Sequence, residues 1–160
     1  MAARAVAAGM AADTPDAGLH LTLDAPFEDA VPYVQLEHEY VGYETVQVTR
    51  LDEMIRGHLD ETVPRTALLV VCHAELAFAA LDIDPRLGGM LPCTTVVYED
   101  PDAELVHVHH PSVAKAIRDL GVAPAGSEAA VAALVERSGE LMDEVWANVA
   151  ANADVVDRDR

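Results

Sequence analysis

Lysine is almost missing from this chain. Lys115 is the only one in 160 residues, every other basic residue is arginine, and ten basic groups face 28 acidic ones for a net charge of -18. Without a basic patch to neutralise phosphates, nucleic acid is excluded as a partner, and an anionic membrane surface is disfavoured for the same reason. Long apolar runs are missing too, so no segment is suited to crossing a bilayer. The N-terminal MAARAVAAGMAADTPDAG has one early arginine, Arg4, and neither a leucine-rich stretch nor a twin arginine. It is a poor match to a secretory signal, and the expectation is a loose tail over residues 1–18 of a cytoplasmic protein. Cysteine is scarce, with Cys72 and Cys93 alone, which argues against a structural disulfide framework in such a compartment. Internal repeats and a Ser-His-Asp pattern with a nucleophile elbow are also absent.

What remains abundant is acid, alanine and valine. A charge of this size repels itself at low ionic strength and is screened as salt shortens the Debye length, the composition expected of a protein from a salt-accumulating halophile. Apolar residues make up 51% of the chain, enough for a globular core, and the length suits one compact domain.

Periodicity orders the elements. LHLTL (19–23) alternates as a half-buried strand does. Asp24 is a candidate N-cap and Pro26 fits the first turn of a helix reaching Val41, with Phe27, Val31, Val34 and Val41 on its stripe. Pro32 is at odds with that helix, because an interior proline removes a hydrogen bond and kinks it. Gly42 is placed to stop it. YETVQVT is a strand, Leu51 to Leu59 a short helix, TALLVVC a buried strand, and Glu75 to Ile83 a helix. DPRLGGMLP reads as irregular because of its paired glycines. CTTVVYE and ELVHVHH form a hairpin about DPDA, and Pro111 opens a helix to Leu120. After a linker over 121–126, Ser127 is the expected N-cap of an amphipathic helix over 127–152. Its stripe is Val131, Leu134, Val135, Leu141, Met142, Val145 and Val149, with Trp146 beside it. The order β-α-β-α-β-α-β-β-α-α is that of a mixed α/β domain, spanning about 19–120, with one extra C-terminal helix.

Several of these stretches together resemble the domain-of-unknown-function family numbered 302. The matches are Gly42-Tyr43, Cys72 with Glu75-Leu76-Ala77, Leu91-Pro92-Cys93, Val96-Val97 and the closing Pro111. The resemblance implies a two-layer α/β sandwich, with helices packed on one face of a largely antiparallel sheet. It implies no activity, cofactor or substrate. Two positions depart from the family pattern: His73-Ala74 stands where it has Asn-Pro, and His110 where an acid often precedes the closing proline.

The candidate chemistry lies in thiols, imidazoles and one glycine pair. Cys72 ends one strand and Cys93 begins another, so the two thiols share one end of the sheet only if those strands are antiparallel; a disulfide needs Cα atoms within about 7 Å. They serve either as small buried hydrophobes or as a redox pair. A turn over Asp100 to Ala103 pairs Cys93 with His110, where an imidazolium would lower the thiol pKa. His107 and His109 share one side of their strand, a spacing usable for a metal, against the plainer reading of two polar residues on a less buried face. Gly88 and Gly89 look loosely like a loop that exposes backbone N–H groups to an anion, without the context of a nucleotide site.

The sequence therefore favours a non-enzymatic small-ligand-binding or sensing domain, with Cys72, His73, Gly88, Gly89, Cys93 and His110 about its pocket. No cofactor is predicted, with a metal at His107 and His109 as a further option. The rivals are a thiol- or metal-dependent redox protein and a structural dimerisation module. A homodimer is expected because the stripe of the last helix needs cover, against the alternative that this helix folds back on its own sheet.

Overall fold

The computed structural model describes residues 5–6 and 18–153. Its strands are β1 (Ala5–Val6), β2 (Gly18–Leu23), β3 (Tyr43–Arg50), β4 (Thr66–His73), β5 (Cys93–Asp100) and β6 (Leu105–Pro111). They form one sheet in the order β1-β2-β6-β5-β4-β3, antiparallel at every junction. The helices are α1 (Phe27–Tyr40), α2 (Leu51–Leu59), α3 (Ala74–Ile83), α4 (Val113–Leu120) and α5 (Glu128–Asn152). The expected sandwich with an antiparallel sheet and a C-terminal helix is what forms. No helix among the described residues is long and apolar enough to cross a membrane. Most of the 1–18 stretch lies outside the described residues; within it, Ala5 and Val6 pair with Leu23 and Thr22.

The pleat sorts residues into two faces. Rows across the inner face run Leu21, Val108, Val97, Ala67 and then Leu19, His110, Thr95, Leu69, Val48, read from the strand registers and from the Thr95–His110 contact. Most of these are buried beneath the helices, whereas the outer face carries His20, Thr22, His107, His109, Tyr98 and Val96.

Helix α1 runs through Pro32 unbroken. Pro32 and Glu28 both sit on the exposed side, so the carbonyl that proline leaves without a donor faces solvent. Asp24 does not cap α1; Pro26 holds the N-cap position with no side-chain hydrogen bond. Gly42 takes φ 98°, the left-handed conformation that ends a helix, and its N–H donates to the Glu39 carbonyl. The stretch expected to be irregular is instead a 3-10 helix, Pro85–Met90, started by the Asp84 side chain accepting from Arg86 N–H. Both glycines are absorbed in it, because a 3-10 turn bends the backbone without needing a side chain.

The α5 stripe is covered within the chain. Val131, Leu134, Leu141, Met142, Val145 and Val149 are all buried in a single copy. The Tyr33 hydroxyl donates to the Val149 carbonyl at 2.6 Å, and Arg137 pairs with Glu75 of α3. A second copy is not needed to cover this helix, which removes the reason for expecting a dimer through it. Ser127 holds the N-cap position of α5 as expected, though its hydroxyl bonds back to the Pro124 carbonyl and makes no side-chain cap.

The β5–β6 hairpin turns one position later than the sequence suggested, which moves every cross-strand partner by two. Asp100 pairs with Leu105, leaving residues 101–104 as the loop, and Glu104 adopts φ 54°. The faces are kept, since a shift of two preserves the pleat, but every partner changes. Thr95, not Cys93, lies against His110.

Candidate functional site

The inner face of β5 and β6 carries a polar chain sealed in the core. His38, Thr95 and His110 are 0%, 0% and 3% exposed. His38 Nδ1 lies 2.8 Å from the Val34 carbonyl, its Nε2 lies 2.9 Å from Thr95 Oγ1, and that oxygen lies 2.9 Å from His110 Nδ1. These contacts fix the protons. A carbonyl only accepts, so His38 Nδ1–H donates and its Nε2 carries a lone pair. Thr95 must then donate to His38, and its oxygen accepts from His110 Nδ1–H. The chain runs one way, and His110 Nε2 is left as a lone pair.

Burial holds both imidazoles neutral. It pushes the His38 pKa down against the favourable contact with the Val34 carbonyl, and it pushes His110 down to about 3, with His38 and His109 adding repulsion. Aromatic edges frame the chain: His38 meets Tyr43 at 5.7 Å and Trp146 at 6.2 Å between ring centroids, and His110 meets Trp146 at 6.1 Å. Two buried polar atoms nearby, Trp146 Nε1 and His73 Nδ1, have no hydrogen-bond partner.

The chain ends on a residue that lines a cleft. A cavity of about 150 Å³ lies between the start of β2, the end of β6 and α5, walled by Leu19, His110, Ser112, Ser138 and Met142. Ser138 is also part of the lining of a small void that includes Cys93 and Leu91. A larger concavity, about 730 Å³, lies at the far end of the hairpin beneath residues 101–106. Its charged lining, Asp24, Glu99 and Glu104, is wholly acidic and none of the polar chain reaches it. Chemistry, not size, marks the smaller cleft as the candidate site.

The structure separates the residues that the sequence grouped. Antiparallel pairing of β4 and β5 does bring Cys72 and Cys93 to one end of the sheet, with Val71 opposite Cys93. Cys93 therefore shares the inner face with Val71, and Cys72 points to the other face. Both thiols are free. Burial pushes the Cys93 thiol up to about 11 and raises that of Cys72. The option that His110 activates Cys93 is overturned: the imidazole is neutral, the thiol is protonated, and the register pairs His110 elsewhere. His73 sits at the start of α3 and stacks edge-on against Tyr43 at 5.1 Å, without capping the helix. Gly88 and Gly89 lie in the 3-10 helix, away from the residues lining the His110 cleft. His107 and His109 share the outer face as expected, and His20 of β2 joins them, paired with His109.

Sequence reading missed His38, Thr95 and His20. His38 falls four residues after Val34 on the buried stripe of α1, and Thr95 falls two before Val97 on the core face of β5. A polar side chain at a core position needs a partner, and these two positions carried that signal.

Fold and site define a two-layer α/β sandwich with a polar chain buried in its core. The model of the family described as "Domain of unknown function DUF302" matches residues 19–145 and reaches well into α5, and the chain belongs to that family. Among solved structures it is similar to an uncharacterised conserved DUF302 protein from Bacillus stearothermophilus. The TM-score is 0.66 and the identity 14%, over 82% of this chain and 99% of that one, a likeness of fold. No curated protein matches.

Proposed function

We propose that this chain is a non-enzymatic small-ligand-binding or sensing domain whose ligand occupies the cleft at His110. The observation that carries the reading is the one-way chain from the Val34 carbonyl through His38 and Thr95, which ends in a neutral acceptor on a residue of the cleft wall. A fixed acceptor beside the apolar Leu19 and Met142 suits a small molecule with one N–H or O–H donor on an apolar body. Catalysis draws less support. An imidazole with a pKa near 3 is a weak base at neutral pH, and a thiol near 11 is a weak nucleophile. A redox pair draws less still, because the thiols face opposite sides of the sheet. In this reading the domain works in the salt-rich cytoplasm of a halophile, where screening relieves its charge.

Amide shifts of the full-length protein, titrated with phenol, indole and N-methylacetamide, test the proposal. At least one probe should shift Leu19, Ser112, Ser138 and Gly139, and Thr95→Val should weaken that response. Silence at these amides with all three probes would count against it.

A further inference from the structure

The outer face of β2 and β6 holds a second group of imidazoles, separate from the buried chain. His20 Nε2 lies 3.1 Å from His107 Nδ1, and the Thr22 hydroxyl lies 3.2 Å from that same Nδ1. His107 turns its other nitrogen, Nε2, toward the Asp100 carboxylate at 3.7 Å. Tyr98 stacks on the His107 ring at 5.0 Å and fixes its plane. The His109 ring stands 5.8 Å from that of His20. We propose that His20 Nε2 and His107 Nδ1 form a binding site for a late first-row divalent metal ion, with water completing its coordination.

The Asp100 carboxylate, 3.7 Å from His107 Nε2 and just beyond hydrogen-bond distance, biases the ring electrostatically toward the tautomer with N–H at Nε2, and the Thr22 hydroxyl can donate to the lone pair this leaves at Nδ1. Two nitrogens 3.1 Å apart, each at a metal–nitrogen distance of about 2.05 Å, subtend roughly 100°, close to the angle between adjacent ligands. A bound ion replaces the hydrogen bond between the two rings with two coordinate bonds, and the proton that His20 Nε2 donated in that hydrogen bond moves to Nδ1 of the same ring, which stays neutral. Among the described residues no three of His, Cys, Asp and Glu already converge on one point, so the site is open and two-coordinate from the protein. Imidazole nitrogens select nickel, copper and zinc over the hard cations magnesium and calcium.

The test is calorimetric titration of the full-length protein with Ni²⁺ in excess Mg²⁺, which occupies the many surface carboxylates. One site per chain is expected. His20→Gln and His107→Gln should each weaken it at least about tenfold, Asp100→Asn by less, and Cys72→Ser by nothing. Circular dichroism checks that each variant is folded, and both histidines are partly exposed positions that tolerate glutamine. Absence of a Ni²⁺ site above the Mg²⁺ background, or equal affinity in the His20→Gln/His107→Gln double variant, would overturn the proposal.

Discussion

The two faces of β6 put similar residues to different uses. His107, His109 and His110 are near neighbours in sequence, yet His110 is 3% exposed and the other two remain in reach of solvent. On the inner face an imidazole is held neutral and its tautomer is dictated by a hydroxyl, a second imidazole and a helix carbonyl. On the outer face the imidazoles meet each other, a threonine and an aspartate. A histidine's role follows from the parity of its strand position more than from its neighbours in sequence.

Acid should affect the inner face most. The unfolded chain takes up a proton on His110 below about 6.5, whereas the folded protein resists until about pH 3. The stabilisation is therefore complete above pH 6.5 and is lost as pH falls toward 3, by several kcal/mol at the limit; His38 adds in the same direction. Urea unfolding followed from pH 7 to pH 4 should show this decline, and His110→Phe should flatten it. A wild-type stability unchanged over that range contradicts the inner-face account.

Next in size is Thr95→Val, which keeps the volume and removes the shared oxygen. His38 Nε2 and His110 Nδ1–H then lose their partner, at a cost of about 3 kcal/mol for two buried polar groups. Denaturant titration at pH 7 measures it, and a loss below 0.5 kcal/mol, on the order of a surface change, would mean that the hydroxyl is not the link.

Thiol accessibility separates the faces more gently. The native protein should react with a small alkylating reagent at Cys72 before Cys93, because Cys93 has the higher barrier to forming a thiolate. Peptide mapping over time reads the order, and Cys93 reacting first would reverse the assignment. The smallest effect belongs to His109→Gln on the outer face, expected to alter stability by no more than about 0.5 kcal/mol.

Much of this comparison was legible in the sequence and one part was not. Alternation in LVHVHHP correctly put His107 and His109 on one face and His110 on the other, and helix and strand order followed from periodicity. The hairpin register was not legible, because a two-residue shift preserves every face and leaves the apolar pattern equally satisfied. Deciding it required Glu104 in a left-handed conformation, which nothing in DPDAE marks at a residue that rarely adopts it. With the register went the partner of His110, and so the site: Thr95 and His38 lie 15 and 72 residues away in sequence. Pro32 misled in the other direction, since its cost depends on whether the freed carbonyl meets water, a tertiary fact.

The buried chain runs in one direction, from His110 through Thr95 and His38 to the Val34 carbonyl, and histidine ring ¹⁵N spectroscopy reads that direction proton by proton. Long-range ¹H–¹⁵N correlations of the full-length protein, recorded between pH 5 and pH 8, distinguish Nδ1–H, Nε2–H and the imidazolium. His110 should remain neutral with the proton on Nδ1 throughout that range, and His38 should carry its proton on Nδ1 wherever it is neutral. A His110 that carries its proton on Nε2, or that titrates near 6.5, would contradict the account.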